Sequence, residues 1–170
     1  HAFAQRGFSC LRFNFRGVGR SQGVFSRGEG ELSDAATALD WLQSHNENSS
    51  QCWVAGFSFG AWIGMQLLMR RPEIDSFVSV APPANMFDFS FLAPCPSSGL
   101  VLHGDKDEIV PPNAVEKLID KLRQQKGITI DLQTIGGANH FFHGLTDKLD
   151  KHVGSYVDRA LSDESAAAAK

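Results

Sequence analysis

The sequence has 170 residues and a formal net charge of −3, and 42% of its residues are hydrophobic and 21% are charged. These proportions are typical of one globular domain that is large enough to bury a core. Because the net charge is slightly negative and no basic stripe is present, we expect neither nucleic acid nor a membrane surface as a partner. No apolar run approaches the ~18 residues that span a bilayer, and no signal peptide is visible.

The hydrophobic pattern predicts strands that alternate with helices. In chain order, the predicted elements are a helical turn at residues 2–7, a strand at 8–15, a glycine-rich loop at 16–30, a helix at 31–44, a strand at 52–55, a helix at 59–71, strands at 77–81 and 100–103, a helix at 112–126, a strand at 128–135 and a helix at 141–161. This order predicts an α/β fold, a three-layer α/β/α sandwich with a mostly parallel sheet. We assign residues 1–161 to one domain and the small, polar residues 162–170 to a disordered tail.

The three cysteines, Cys10, Cys52 and Cys95, are odd in number and lack the spacing of metal ligands. Cys10 and Cys52 lie in apolar, strand-like runs, so we expect small buried hydrophobic side chains rather than a disulfide or a reactive thiol. This cysteine usage is typical of a reducing compartment, and we therefore expect a cytoplasmic protein.

The segment Gly56-Phe57-Ser58-Phe59-Gly60 fits the pattern G-x-S-x-G between a predicted buried strand and a predicted helix. A chain that reverses from strand to helix this sharply holds its serine in a strained conformation and leaves the hydroxyl clear at the end of the sheet. Small residues on both sides of the serine relieve the crowding. The pattern predicts a nucleophile at Ser58, and the alternative is an ordinary turn with a capping serine.

A serine hydroxyl needs a base to become a nucleophile, and the base needs an acid to orient it. His140 follows the last predicted strand, and Asp105 and Asp107 both follow the strand at 100–103. The carboxyl ends of parallel strands meet at one edge of a sheet, so these side chains converge on Ser58. Either aspartate could be the acid, since the one beside Gly104 could instead brace the turn. The alternative for His140 is a histidine on a surface loop.

No cofactor or metal is expected at this site. Gly17, Gly19 and Gly23 have the spacing G-x-G-x-x-x-G, which differs from the dinucleotide-binding pattern. His140 and His143 could form a pair of metal ligands, but no third ligand has suitable spacing.

Aromatic residues are frequent near the predicted edge, and most of them are expected to pack in the core. The proline- and phenylalanine-rich segment 82–98 could form a small flap over the site. We predict that Phe57 on the turn, together with Phe87 and Phe89 on this flap, lines an apolar pocket for the acyl group of a substrate.

The chain resembles the α/β-hydrolase superfamily, and most closely its small, nearly lidless bacterial and plant hydrolases. The resemblance depends on F-N-F-R-G-V-G-R-S at residues 13–21, on G-x-S-x-G and on H-G-D-x-D-x-x-V-P at residues 103–111. It implies a catalytic triad of Ser58, Asp107 and His140, and so selects Asp107 as the acid.

The resemblance also implies an oxyanion hole with the backbone N–H of Phe59 as one donor. The second donor in this superfamily comes from a loop after an earlier strand, and neither that loop nor about three N-terminal strands of the usual sheet is found in the sequence. We therefore expect an N-terminally truncated form with an exposed apolar sheet edge. Loss of one oxyanion donor costs on the order of 3 kcal/mol, or ~10²–10³ in rate, so the activity could be weak.

These observations together predict a serine hydrolase that cleaves small acyl esters or thioesters through an acyl-enzyme. Two alternatives remain open. A serine peptidase of the aminopeptidase type would use the same chemistry, although no propeller or large cap selects peptides. A catalytically silent binding protein would keep the fold, and the missing oxyanion loop favours it.

Overall fold

The computed structural model describes residues 1–168. Its helices are α1 (Glu29–Ser44), α2 (Phe59–Leu68), α3 (Pro112–Arg123) and α4 (Thr146–Ala168), with short 3₁₀ helices at Ala4–Arg6 and Ser90–Leu92. Its strands are β1 (Trp53–Phe57), β2 (Ser76–Val80), β3 (Gly99–Gly104) and β4 (Ile130–Ile135). The strands form one parallel sheet in the order β1-β2-β3-β4. The predicted α/β class and the mostly parallel sheet are confirmed.

Helices cover both faces of the sheet and give the molecule three layers. The side chains of β3 alternate between the two faces, as a strand requires. Val101 faces a core that contains Ile63 of α2 and residues from α1 and α3. Leu100 and Leu102 face a second core that contains Val157 of α4. Because β3 is buried along its whole length, it anchors both cores.

The predicted strand at residues 8–15 is wrong, because this segment has no regular secondary structure. Its alternating aromatic side chains are typical of a strand, but a strand also needs a neighbour with which to share backbone hydrogen bonds. The rings hold the segment instead: Phe8 packs edge-on against Trp53, and Phe15 packs edge-on against Phe59. A groove of about 910 Å³, here called the edge groove, lies between residues 8–12 and β1.

Helix α4 differs from its predicted bounds at both ends. It begins at Thr146 rather than at residue 141, because Phe142 and Gly144 have φ values of +54° and +69°, outside the helical region. It continues to Ala168, so residues 162–168 of the predicted tail are helical. The run of alanines there has high helix propensity, which explains the extension. Residues 169 and 170 lie outside the described residues.

The cysteines are all free thiols in different surroundings. Cys95 is buried and Cys52 is half-buried, whereas Cys10 is exposed, so the prediction of a buried Cys10 is wrong. Burial raises the pKa of the Cys52 thiol to about 11, and burial also raises the pKa of Cys95. Both thiols therefore stay protonated near neutral pH and are poor nucleophiles.

None of the helices in the described part of the chain combines the length and the apolar character that crossing a membrane requires.

Candidate active site

Ser58 lies on the sharp turn between β1 and α2, at the carboxyl end of the sheet. Its backbone has φ +50° and ψ −119°, a region that residues with a side chain rarely adopt. A hydrogen bond joins the turn to β2, because the N–H of Ser58 donates to the carbonyl of Val80 at 2.8 Å. The sequence context predicted this strained strand-to-helix turn at Ser58.

The two glycines of G-x-S-x-G differ in their surroundings. A Cβ placed on Gly56 would lie 2.3 Å from the carbonyl oxygen of Gly60, whereas a Cβ placed on Gly60 would meet nothing within 4 Å. The close approach of strand to helix therefore requires glycine at residue 56. The expectation that small residues on both sides relieve crowding applies to Gly56 and does not apply to Gly60.

A chain of hydrogen bonds joins Ser58, His140 and Asp107. His140 Nδ1 lies 2.7 Å from Asp107 Oδ2, and His140 Nε2 lies 3.0 Å from Ser58 Oγ. An ionised carboxylate only accepts hydrogen bonds, so the proton of a neutral imidazole lies on Nδ1. Nε2 is then free to accept a hydrogen bond from the hydroxyl of Ser58. The structure thus brings together the three side chains that the sequence singled out from three separate loops.

Asp107 is fixed in place by its own loop. Its Oδ1 accepts hydrogen bonds from the N–H groups of Ile109 and Val110, at 2.9 and 2.8 Å. The side chain of Asp107 is 0% exposed, and that of His140 is 5% exposed. A carboxylate that is buried and held by two backbone donors keeps its other oxygen aimed at the imidazole.

Asp105, the other candidate for the acid, has a different contact. Its Oδ1 accepts a hydrogen bond of 2.6 Å from the N–H of Gly137, in the loop that leads to His140. The same two loops are also joined by the N–H of Lys106, which donates to the carbonyl of Ala138 at 3.0 Å. Asp105 therefore braces the loop of His140, and Asp107 contacts the imidazole itself.

His103 is a residue of this site that the sequence analysis did not assign. It is 2% exposed at the end of β3, and its Nε2 lies 2.9 Å from the carbonyl of Val110. Burial lowers the pKa of His103 below its ordinary value of 6.5, so the ring is neutral near neutral pH and Nε2–H donates to that carbonyl. The ring thereby holds the loop of Asp107. The H-G-D-x-D stretch at residues 103–107 was the available signal.

The three aromatic residues predicted to bind substrate lie at different depths. Phe57 is 41% exposed, and its ring centroid lies 5.2 Å from that of His140. Phe87 is half-buried and packs against the ring of Trp62 at 4.4 Å. Phe89 is 7% exposed and belongs to the main core. The structure therefore places Phe57 beside the site and Phe89 in the main core.

The predicted oxyanion donor is in a suitable position at the start of a helix. Phe59 is the first residue of α2, and the N–H groups of a first helical turn have no acceptor within the helix. They also lie at the positive end of the helix dipole, which favours a developing negative charge. Phe59 N–H therefore has both the freedom and the electrostatic setting to bind an oxyanion next to Ser58.

His143 stacks on Phe141, with the ring centroids 5.6 Å apart, and its Nδ1 lies 3.2 Å from Asn139 Nδ2. Within residues 1–168, no three His, Cys, Asp or Glu side chains come together as a group that could hold a metal ion.

Two protein-family models match the chain, and both describe peptidases. The model of the X-Pro dipeptidyl-peptidase (S15) family matches residues 1–94. The model of the prolyl oligopeptidase family matches residues 75–163. The first match covers the Ser58 turn, and the second covers the loops of Asp107 and His140.

Three bacterial proteins are similar to this chain. An uncharacterized protein of Rickettsia prowazekii is 52% identical over 155 residues, which are 89% of this chain, and the chain spans 65% of that relative's length. A protein of unknown function from Agrobacterium tumefaciens, provisionally assigned as an alpha/beta hydrolase, is 61% identical; its structure has a TM-score of 0.93 and aligns with 96% of this chain and 75% of its own. A Xanthomonas campestris serine hydrolase without a lid is 37% identical, with a TM-score of 0.78, and aligns with 87% of this chain and 65% of its own.

Proposed function

Because the chain belongs to the α/β-hydrolase superfamily, we propose that it is a serine hydrolase that cleaves small acyl esters or thioesters. In this proposal Ser58 is the nucleophile, His140 is the general base and Asp107 orients His140. One observation carries the proposal: an unbroken chain of hydrogen bonds runs from Asp107 Oδ2 through both nitrogens of His140 to Ser58 Oγ, at 2.7 and 3.0 Å.

The reaction follows from this geometry. Ser58 Oγ attacks the carbonyl carbon of the substrate while its proton passes to Nε2 of His140. The buried carboxylate of Asp107 stabilises the imidazolium that forms. When the tetrahedral intermediate collapses, the imidazolium returns the proton to the departing alcohol or thiol. Water then attacks the acyl-enzyme by the same route and releases the acid.

The negative charge of the tetrahedral intermediate needs hydrogen-bond donors. The N–H of Phe59 supplies one donor at the start of α2.

The first test is labelling with a fluorophosphonate probe, which reacts with activated serines, followed by peptide mapping. We expect the probe on the peptide that contains Ser58, because His140 removes the hydroxyl proton during attack. Both Ser58→Ala and His140→Ala should abolish labelling while the circular dichroism spectrum of the folded protein is retained.

The matched control is Ser44→Ala, which removes an exposed hydroxyl at the end of α1 and should label like the wild type. A folded wild-type protein that does not react would contradict the proposal and would favour a catalytically silent binding protein. Labelling of His140→Ala at the wild-type rate would remove His140 from the mechanism.

A peptidase is the second candidate, because both matching family models describe peptidases. The hydrogen-bonded chain of Ser58, His140 and Asp107 suits amide hydrolysis as well as ester hydrolysis. Comparison of kcat/KM for a nitrophenyl ester of a short acid and for a prolyl nitroanilide would separate the two. A higher constant for the anilide would favour the peptidase.

A further inference from the structure

Two exposed aromatic rings flank the imidazole of His140. The ring centroid of Phe57 lies 5.2 Å from that of His140. The ring centroid of Phe141, the next residue along the chain, lies 5.1 Å from that of His140. The two phenyl rings lie 6.2 Å apart with an angle of 53° between their planes. Phe57 and Phe141 are 41% and 54% exposed, whereas His140 is 4% exposed. The rings therefore shield the imidazole and still present large apolar faces to a ligand.

The two rings lie where the leaving group of a substrate would be. In the proposed reaction, Nε2 of His140 gives its proton to the leaving group, so the leaving group must lie on the side of the imidazole. Phe57 and Phe141 are the aromatic rings in contact with that imidazole. A leaving group that accepts the proton would thus lie beside these two rings.

The exposed faces of the two rings are the surface that a leaving group beside the imidazole would contact. Phe57 and Phe141 also line the edge groove, but the residues that line this groove do not include Ser58, Asp107 or His140.

We infer that Phe57 and Phe141 form a binding site for an aromatic leaving group, so that the substrates of this site are esters of arylalkyl alcohols. This assignment places Phe57 beside the leaving group instead of the acyl group. The inference depends on the proposed function and adds the substrate class to it. Offset or edge-on packing of a third aromatic ring against two phenyl rings contributes binding free energy beyond the apolar area that it buries. A methyl group has no ring and cannot make this contribution. The aryl ring would pack against both phenyl rings while its alkoxide oxygen faces Nε2 of His140.

The test compares kcat/KM for benzyl butyrate and methyl butyrate. The acyl group is the same, and the two primary alcohols are alike in chemistry, so the ratio of the two constants reports on binding of the ring. We expect the wild type to prefer the benzyl ester by about tenfold. Phe57→Leu and Phe141→Ala should each lower this ratio by about three- to tenfold.

Trp41→Ala is the matched control, because Trp41 is 52% exposed on α1 and stacks on His45. This variant should keep the wild-type ratio. A ratio near one in the wild type, or a ratio that Phe141→Ala does not change, would overturn the inference. Labelling of Ser58 by the fluorophosphonate separates this failure from a failure of the proposed function, because an unlabelled wild type would overturn both.

Discussion

Gly56 and Gly60 occupy equivalent places in the motif around Ser58, yet the structure gives them different tolerances. A Cβ on Gly56 would approach the backbone oxygen of Gly60 to 2.3 Å, and backbone atoms cannot move aside as the end of a side chain can. We predict that Gly56→Ala destabilises the protein by about 1–3 kcal/mol through overpacking. Fluorophosphonate labelling of Ser58 should also be strongly reduced, because the turn that presents the hydroxyl is displaced.

Gly60→Ala is the matched substitution in the same motif. Its Cβ would meet nothing within 4 Å, and residue 60 lies in α2, where alanine is favoured over glycine by roughly 0.5–1 kcal/mol. Urea unfolding and the rate of labelling measure both variants. If both substitutions cost the same free energy of unfolding, the close approach of β1 and α2 does not explain the glycine at position 56.

The sequence alone predicted Ser58 and His140 as site residues more firmly than it predicted the acid. Ser58 and His140 each follow a predicted strand, and strand order alone brings them to one edge. Asp105 and Asp107 are two residues apart on one loop, so strand order places both at that edge. Which of the two aspartates contacts His140 depends on the turn after β3. There the N–H groups of Ile109 and Val110 bind Asp107 Oδ1, and this leaves Oδ2 directed at His140.

At the scale of one element, the start of α1 depends on a buried carboxylate. Glu31 is 1% exposed, and its two oxygens accept hydrogen bonds of 2.8 Å from the N–H groups of Ser26 and Gly28. Burial acts to raise the pKa of Glu31, but these backbone donors and the nearby Arg16 outweigh it and hold the pKa below the ordinary value of 4.5. The carboxylate therefore stabilises the folded state.

A pH dependence of stability follows from the lowered pKa of Glu31. The stabilisation is present above the pKa of the unfolded chain and is lost as the pH falls through the lower pKa of the folded state. Glu31→Gln leaves one buried N–H without an acceptor and should cost about 1–3 kcal/mol at neutral pH. We predict that the difference in the free energy of unfolding between wild type and Glu31→Gln shrinks below about pH 4.5.

Urea unfolding at several pH values tests this prediction. Glu29→Gln is the control, since Glu29 lies in the same first turn of α1 and is exposed. That substitution should change the free energy of unfolding by only a few tenths of a kcal/mol at every pH. If the difference in the free energy of unfolding between wild type and Glu31→Gln is the same at every pH, the ionisation of Glu31 does not contribute to stability.

Two elements show where sequence pattern stops predicting the fold. The helices and strands from α1 to β4 follow the pattern because each has an apolar face that packs in one of the two cores. Residues 8–15 have a strand pattern, but pairing is a property of two segments, and residues 8–15 form no ladder of backbone hydrogen bonds with β1 or with another strand. The start of α4 is set by the backbone of Phe142, whose positive φ no hydrophobic period reveals.

At the scale of the whole molecule, the described sheet has two edge strands, β1 and β4, and β1 is the one that borders the edge groove. In residues 1–168, β1 pairs with β2 alone, and its second edge borders the edge groove. The N–H of Ser58 donates to Val80 of β2, so by the alternation of a parallel ladder the N–H groups of Trp53, Ala55 and Phe57 point to the open edge. Such an edge is a template for pairing with another chain.

We predict that this chain self-associates through the open edge of β1 and that Ala55→Lys reduces the association. Ala55 is exposed in the middle of β1, and a lysine on an edge strand places a charge that a second strand would have to desolvate. Sedimentation velocity over a range of concentrations measures the effect.

The control is Thr37→Lys on the exposed face of α1, which changes the net charge equally. If Thr37→Lys reduces association as much as Ala55→Lys, net charge and not the β1 edge governs it, and a wild type that stays monomeric at every concentration would contradict the prediction outright.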